Sequence, residues 1–431
     1  MKQGTLVAAL LIVLSLISPV SRTSARQKSS APNWIGTWAT AAQPSLPTPQ
    51  TYNKQTLRLI VHTSIGGPKV RIKISNTYGD KPLVIGTAHI ARRAAAADTE
   101  AKSDRALLFS GQTSTTVAPG SMVTSDPVDL EVAPLADLAV SIFLPETTSA
   151  TTVHNLAKQT NYISAPGDHT ADVKFPVVKT TRSWPFLTGV EVAAAPGAVA
   201  IVAFGASLTD GDGTTADTNR RWPDVLAERL QRDGRTELGV LNEGIIGNRL
   251  LHDSPMDAAA GRFGRVLGES GLKRFERDVL AQPGVKYVVL GLGINDIAFP
   301  GSLTAASEEI TAEMIIDGYR QLIARAHRNG VKIIGTTNPP IENSFLALPP
   351  PAKTITFYTP EKERVRQKVN QWILRSGEFD AVVDLDRMLR DPDHSTQINP
   401  AYDSGDHLHP NNAGTIVEGN AFPLTLFRRK G

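Results

Sequence analysis

In residues 201–213, "IVAFGASLTDGDG", an apolar run stops at Gly205-Ala206-Ser207 and a polar, glycine-rich loop follows. A serine hydroxyl is a poor nucleophile unless a base takes its proton and an acid orients that base. Near the other end of the chain, "DSGDHLHP" supplies both types. His409 is a candidate base, and Asp406, three residues earlier, shares one turn of chain with it. Attack of Ser207 on a carbonyl carbon would create an oxyanion that needs donors. "NEGIIGNRL" brings Gly247, whose missing side chain lets the main chain approach a reacting carbon, and "GLGIND" brings the amide of Asn295. The candidate donors are thus the main-chain N–H groups of Ser207 and Gly247 and the side chain of Asn295. Asn248 and Asp296, beside them, either shape the site by hydrogen bonding or cap the elements that follow.

Such residues converge only if the elements before them end at one edge. After Pro196-Gly197 apolar runs alternate with helical patterns. The runs predict strands at 198–204, 238–242, 285–290, 331–336 and 381–385, and the patterns predict helices near 222–232, 271–280, 308–329 and 361–375. Trp222, Val225, Leu226 and Leu230 fall on one helix face. Strands rich in Val, Ile and Leu that alternate with helices predict a parallel sheet covered on both sides, a three-layer α/β/α domain over 197–431. Ligands gather beyond the carboxyl ends of such strands, where all four loops fall.

The half before it has another rhythm. In "VRIKISNTYGDKPLVIGTAHIA", Val70, Ile72 and Ile74 face one way and Arg71 and Lys73 the other, before Asn76 to Lys81 turns the chain. "QTLRLIVHTS" and "LADLAVSIFLP" repeat the period of two. The pattern predicts an all-β, jelly-roll-like antiparallel sandwich over 34–190. Trp34 and Trp38 at its start are expected in the core rather than stacked on sugar rings.

The four loop motifs, in this order, resemble the blocks of the SGNH (GDSL-type) hydrolase family: "FGASLTDG", "GIIGN", "GLGIND" and "DHLHP". The resemblance covers a little over half of the chain. It implies Ser207 as nucleophile, His409 as base, Asp406 as orienting acid and Gly247 and Asn295 as oxyanion donors, with no cofactor. Ala206 stands where the family carries Asp, a supporting residue there. "NWIGTWATAAQ" is similar to the start of secreted bacterial carbohydrate esterases with a β-sandwich ahead of the hydrolase, which implies an acylated polysaccharide as substrate. A lipid ester is the second substrate class. A carbohydrate-binding protein without activity is the rival that Ala206 motivates.

Bulk properties narrow the context. Lys2, the apolar run from Leu6 to Ile17 and Thr23-Ser24-Ala25 read as a cleavable secretory signal over residues 1–25. That run is shorter than the ~20 residues a membrane span needs, so no stable span is expected. Removing Lys2 and Arg22 lowers the formal charge from +3 to +1, which gives no reason to expect nucleic acid as partner. A chain of 431 residues without cysteine has no disulfide or thiolate chemistry and must be held by its core. A secreted or periplasmic protein fits.

Competing motifs are weak. Asp210-Gly-Asp212 lacks the glycine and glutamate of a calcium loop and is expected to be a solvated loop. "GLGIND" lacks the third glycine of a dinucleotide loop. His407 and His409 are two apart, but no metal is expected, and His407 reads as a packing or hydrogen-bonding neighbour. The glycine- and alanine-rich stretch 252–270 reads as a loop above the sheet.

Overall fold

A computed structural model describes Met1 and residues 32–255, 265–347 and 354–427. The expected leader and the middle of the 252–270 loop lie outside the described residues. The chain divides into two units, Met1–Pro32 and Asn33–Gly431, and both rhythms of the sequence fall in the second.

From Asn33 to Ala194 the elements are strands, with one 3-10 turn at Ala101–Ser103. Gly67–Ser75 is the hub of one antiparallel sheet. It pairs with Leu187–Ala194, which carries Asn33–Ala39 on its far side, and with Met122–Thr124 and Val128–Val132. A second antiparallel sheet runs Val177–Thr181, Asn161–Pro166, Gln55–His62, Asp137–Phe143 and Thr87–Ala95. The period of two decides what is buried: Val70, Ile72 and Ile74 of the first sheet share one cluster with Leu57, Leu59, Val61, Leu138, Val140 and Ile142 of the second. Arg71 and Lys73 on the other face both pair with the buried Glu191 carboxylate, at 2.6 and 2.7 Å. Trp38 is core, edge-on to Trp184 with 5.0 Å between centroids, while Arg71 lies over the Trp34 ring at 4.3 Å.

The second half is a five-stranded parallel sheet in the order Leu238–Gly244, Val199–Gly205, Val285–Gly291, Lys332–Thr336, Ala381–Val383. Alternation along its strands separates two cores. Ile201, Ala203 and Val289 pack with Trp222, Leu226 and Leu230 of the helix Trp222–Arg232 and with Phe422. Val202, Phe204, Val288 and Leu290 pack with Phe275, Ile315, Tyr319, Leu322 and Val369 of helices Gly271–Phe275, Ala312–Arg328 and Pro360–Arg375. Each fully buried side chain of this kind contributes roughly 1.5–3 kcal/mol, so a chain without disulfides can be held by such clusters. The helix expected over 308–329 begins at Ala312, where the Thr311 hydroxyl accepts from Met314 N. Beyond Phe275 the expected helix continues as a π-helical turn, Glu276–Leu280.

The two halves share a core. Leu238–Gly244 is an edge strand, and the β-rich half covers it: Val240 N donates to Ser64 Oγ at 3.0 Å, and Gly239 lies so close to the Gly36 carbonyl that a Cβ there would sit 2.6 Å from it.

Candidate active site

Ser207 begins a one-turn helix, Ser207–Asp210, directly after the strand Val199–Gly205. The preceding residue explains part of the local geometry. Ala206 is buried in the core cluster, and its N–H donates to the Gly291 carbonyl of the neighbouring strand at 3.2 Å. The methyl group of this residue is a packing element that needs no charge partner. From the other end of the chain, His409 places Nε2 2.8 Å from Ser207 Oγ and Nδ1 2.6 Å from Asp406 Oδ2. The other Asp406 oxygen accepts from the main-chain N–H of Leu408 (3.0 Å) and His409 (2.8 Å). Three residues of spacing let one carboxylate fix both the ring and the main chain that carries it.

Electrostatics follow from those contacts. Burial alone would raise the Asp406 carboxyl, but the His409 hydrogen bond and charge, with the two main-chain donors, outweigh it and hold the group at about 2. Burial alone would lower His409. The Asp406 hydrogen bond and the charges of Asp212 and Asp406 prevail, and its pKa lies above the usual histidine value, with Lys158 opposing. Asp212 Oδ2 is 3.8 Å from the same Nδ1, so the ring sees a second carboxylate.

The second loop reaches the nucleophile through Asp210 at the end of the Ser207 helix. Asp210 Oδ2 accepts from Ile246 N at 2.8 Å, and Ile245 N donates to the Gly205 carbonyl at 3.2 Å. Gly247 follows with φ +69°, and a Cβ there would lie 2.8 Å from Leu267. Only glycine takes that turn without strain. Asn295 is the second residue of the short helix Ile294–Ala298 after Val285–Gly291, and its amide donates to the Asn248 carbonyl at 2.9 Å. One amide hydrogen serves that bond, and the group has a second.

Asn248 and Asp296 shape the site rather than cap elements. Asp296 accepts from Leu250 N (2.6 Å) and Leu251 N (2.9 Å), and burial pushes its carboxyl up to about 6 despite both donors. Asn248 donates to the carbonyls of Leu267 and Glu269 and accepts from Arg274.

Three residues carry geometry that sequence reasoning missed. Arg274 is buried and donates to Asn248 Oδ1 (2.9 Å), the Glu243 carbonyl (2.8 Å) and the Gly205 carbonyl (2.9 Å). One guanidinium therefore ties the end of the nucleophile strand to the second loop. Asp210, expected in a solvated loop, is 1% exposed and hydrogen-bonds His154. The correction has a physical cause. The β-rich half reaches this segment, with Lys158 Nζ donating to the Thr214 carbonyl and Thr160 N to Asp217 Oδ1, so Asp210 faces protein while Thr215, Asp217 and Thr218 stay exposed. A signal for Arg274 was available in principle, because a charged residue on the apolar side of a helix pattern needs a partner. Nothing local announces His154, whose partner lies 56 residues away. His407, by contrast, stands apart from Ser207: it bonds Asp403 at 2.6 Å and faces Phe345.

Residues 203–415 match the model of the GDSL-like Lipase/Acylhydrolase family. No curated protein matches the chain. Among solved structures, the chain is similar to an acetyl xylan esterase from Geobacillus stearothermophilus, with 19% identity and TM-score 0.38 over 53% of this chain and 94% of that one. It is similar to an aryl esterase of M. smegmatis, with 19% identity and TM-score 0.37 over 52% of this chain and 96% of that one. An alpha/beta hydrolase enzyme from the metagenome of Lake Arreo, Spain, shows 22% identity and TM-score 0.38 over 54% of this chain and 96% of that one.

Proposed function

The chain carries a GDSL-type carboxylic ester hydrolase domain, and on that premise we propose that Ser207, His409 and Asp406 are its catalytic residues. One observation carries the reading: His409 lies 2.8 Å from the Ser207 hydroxyl on one ring nitrogen and 2.6 Å from the Asp406 carboxylate on the other. Ser207 Oγ attacks the ester carbonyl carbon while its proton passes to His409 Nε2. Asp406 accepts from Nδ1–H and stabilises the imidazolium that forms. The N–H groups of Ser207 and Gly247 and the Asn295 amide are assigned to the oxyanion. When the tetrahedral intermediate collapses, the bond to the alcohol oxygen breaks and His409 returns the proton to it. Water then attacks the acyl-enzyme with His409 as base, and the acid leaves as Ser207 regains its proton.

The substrate class we propose is an acylated polysaccharide or another small acyl ester. The leader-like residues 1–25 and a β-sandwich of jelly-roll type over 34–190 support an exported enzyme that meets polymer. Among the described residues no helix is long and apolar enough to cross a membrane. The test is an ester panel that varies acyl length and alcohol, run on wild type and Ser207→Ala, with a fluorophosphonate label mapped by peptide mass. Label on Ser207 and acetate release from acetyl-xylan are expected. Equal background rates for both proteins would retire the enzyme, and a preference for acyl chains of about eight carbons or more would move the substrate to lipids.

A further inference from the structure

A second histidine–aspartate pair stands beside Ser207, and its histidine comes from the other half of the chain. His154 ends the strand Thr152–His154 in the β-rich region, which pairs with Trp184–Pro185 and Gln43–Pro44. Its Nε2 is 2.8 Å from Asp210 Oδ1, and its Nδ1 is 3.0 Å from the Ala41 carbonyl. Both side chains are 2% exposed. Each ring nitrogen thus has an oxygen of its own within hydrogen-bond distance. Asp210 closes the Ser207 helix: its own N–H donates to the Ala206 carbonyl, and its second oxygen accepts from Ile246 N at 2.8 Å. The next residue is Gly247.

The chain of contacts therefore runs from the β-rich half through His154 and Asp210 to the main chain that presents the Gly247 amide. Asn248, just beyond the turn, is held by Arg274 and Asn295, whereas the Ile246 N–H has Asp210 as its partner. Ile245 N is held by the Gly205 carbonyl and Asn248 N by the Ile245 carbonyl, and Gly247 itself takes left-handed φ. Without Asp210 the Ile246 N–H would lose its partner beside a turn that only glycine accommodates. A part-buried donor left without its acceptor favours a shift of the turn toward another partner. A displacement near 1 Å at a reacting geometry can cost on the order of a hundredfold in rate.

We infer that His154, acting through Asp210, is a positioning residue for ester hydrolysis: the β-rich half holds the Ile246–Gly247 main chain where its amide meets the oxyanion. This rests on the assignment of Ser207 and Gly247 above. It gives the N-terminal half a role in the chemical step that does not depend on its binding a polymer.

Side-chain geometry makes the proposal testable with conservative variants. A glutamine amide can place a donor where the imidazole has Nε2, and an asparagine amide where it has Nδ1. His154→Gln thus keeps the contact to Asp210 and gives up the one to Ala41, whereas His154→Asn does the reverse. Asp210→Asn can still accept from Ile246 N and can donate to an unprotonated His154 Nε2, whereas Asp210→Ala can do neither. The measurement is kcat and KM on p-nitrophenyl acetate, with thermal unfolding followed on the same samples. His154→Asn and Asp210→Ala are expected to lose roughly tenfold to a hundredfold in kcat, with KM within about twofold of wild type. His154→Gln and Asp210→Asn are expected to keep most of the rate. Equal rates for His154→Gln and His154→Asn, or losses that merely follow the unfolding temperature, would overturn the inference. Ser207→Ala in the same series separates the two readings: if it retains activity, the assignment of the site itself has failed.

Discussion

Two histidine–aspartate pairs flank one serine, and they are built for opposite purposes. In the C-terminal loop, His409 has a carboxylate at 2.6 Å on one side and the Ser207 hydroxyl at 2.8 Å on the other. A hydroxyl can give its proton to the ring and take it back, so that ring can change state during a reaction. In the β-rich half, His154 has a carboxylate at 2.8 Å and a main-chain carbonyl at 3.0 Å. Neither partner is a hydroxyl nucleophile, so the ring is a clamp. Exposure follows the same division, with 32% of the Asp406 side chain open to solvent and 2% of that of Asp210. What sits on the far nitrogen, more than the pairing itself, separates a group that can move protons from one that holds shape.

The comparison is broken most directly at Ser207. Ser207→Ala or His409→Ala is expected to lower kcat by on the order of 10⁶-fold, since nucleophile and base act as a unit. The check is a burst-free p-nitrophenyl acetate assay together with loss of fluorophosphonate labelling. Asp406→Asn comes next. Removing an orienting acid alone typically costs about 10⁴-fold, but Asp212 Oδ2 lies 3.8 Å from the same His409 nitrogen. The single variant should therefore lose less than that, and Asp212→Asn added to it should bring a further drop larger than Asp212→Asn gives alone. Additive losses in the double-mutant cycle would remove Asp212 from the account.

How much of this was legible before the structure depends on distance along the chain. The parallel strands were readable because each is an unbroken apolar run, and the five observed strands overlap the five expected runs. The loops at their ends were readable because the family blocks are local words. Short helices were not: Ser207–Asp210, Ile294–Ala298 and Leu385–Leu389 span four or five residues, too few for a period of 3.6 to register. Asp210 was misread for a different reason. Beside Gly211 and Asp212 it has the composition of a solvated turn, and it is buried by tertiary partners: a strand from 56 residues earlier and the second loop at Ile246. Arg274 belongs to the same class, since its acceptors at Gly205, Glu243 and Asn248 are all set by tertiary structure.

The pH dependence sharpens the contrast without removing any catalytic group. Burial lowers the His409 pKa, but the Asp406 hydrogen bond and the carboxylates of Asp212 and Asp406 raise it further than burial lowers it. The base must be neutral in free enzyme to accept the Ser207 proton. Activity is therefore expected to fall as pH drops through this raised value, placing the acid limb of the kcat/KM profile above about 6.5. Asp212→Asn removes one raising charge and should move that limb to lower pH, with a small change in the plateau. Raising salt should not mimic the shift, because the His409 side chain is only 12% exposed and a buried pair is weakly screened. His154→Gln, at the clamp, should leave the limb where it is, since it adds and removes nothing that faces His409. A limb that moved with His154→Gln but not with Asp212→Asn would reverse the roles assigned to the two pairs.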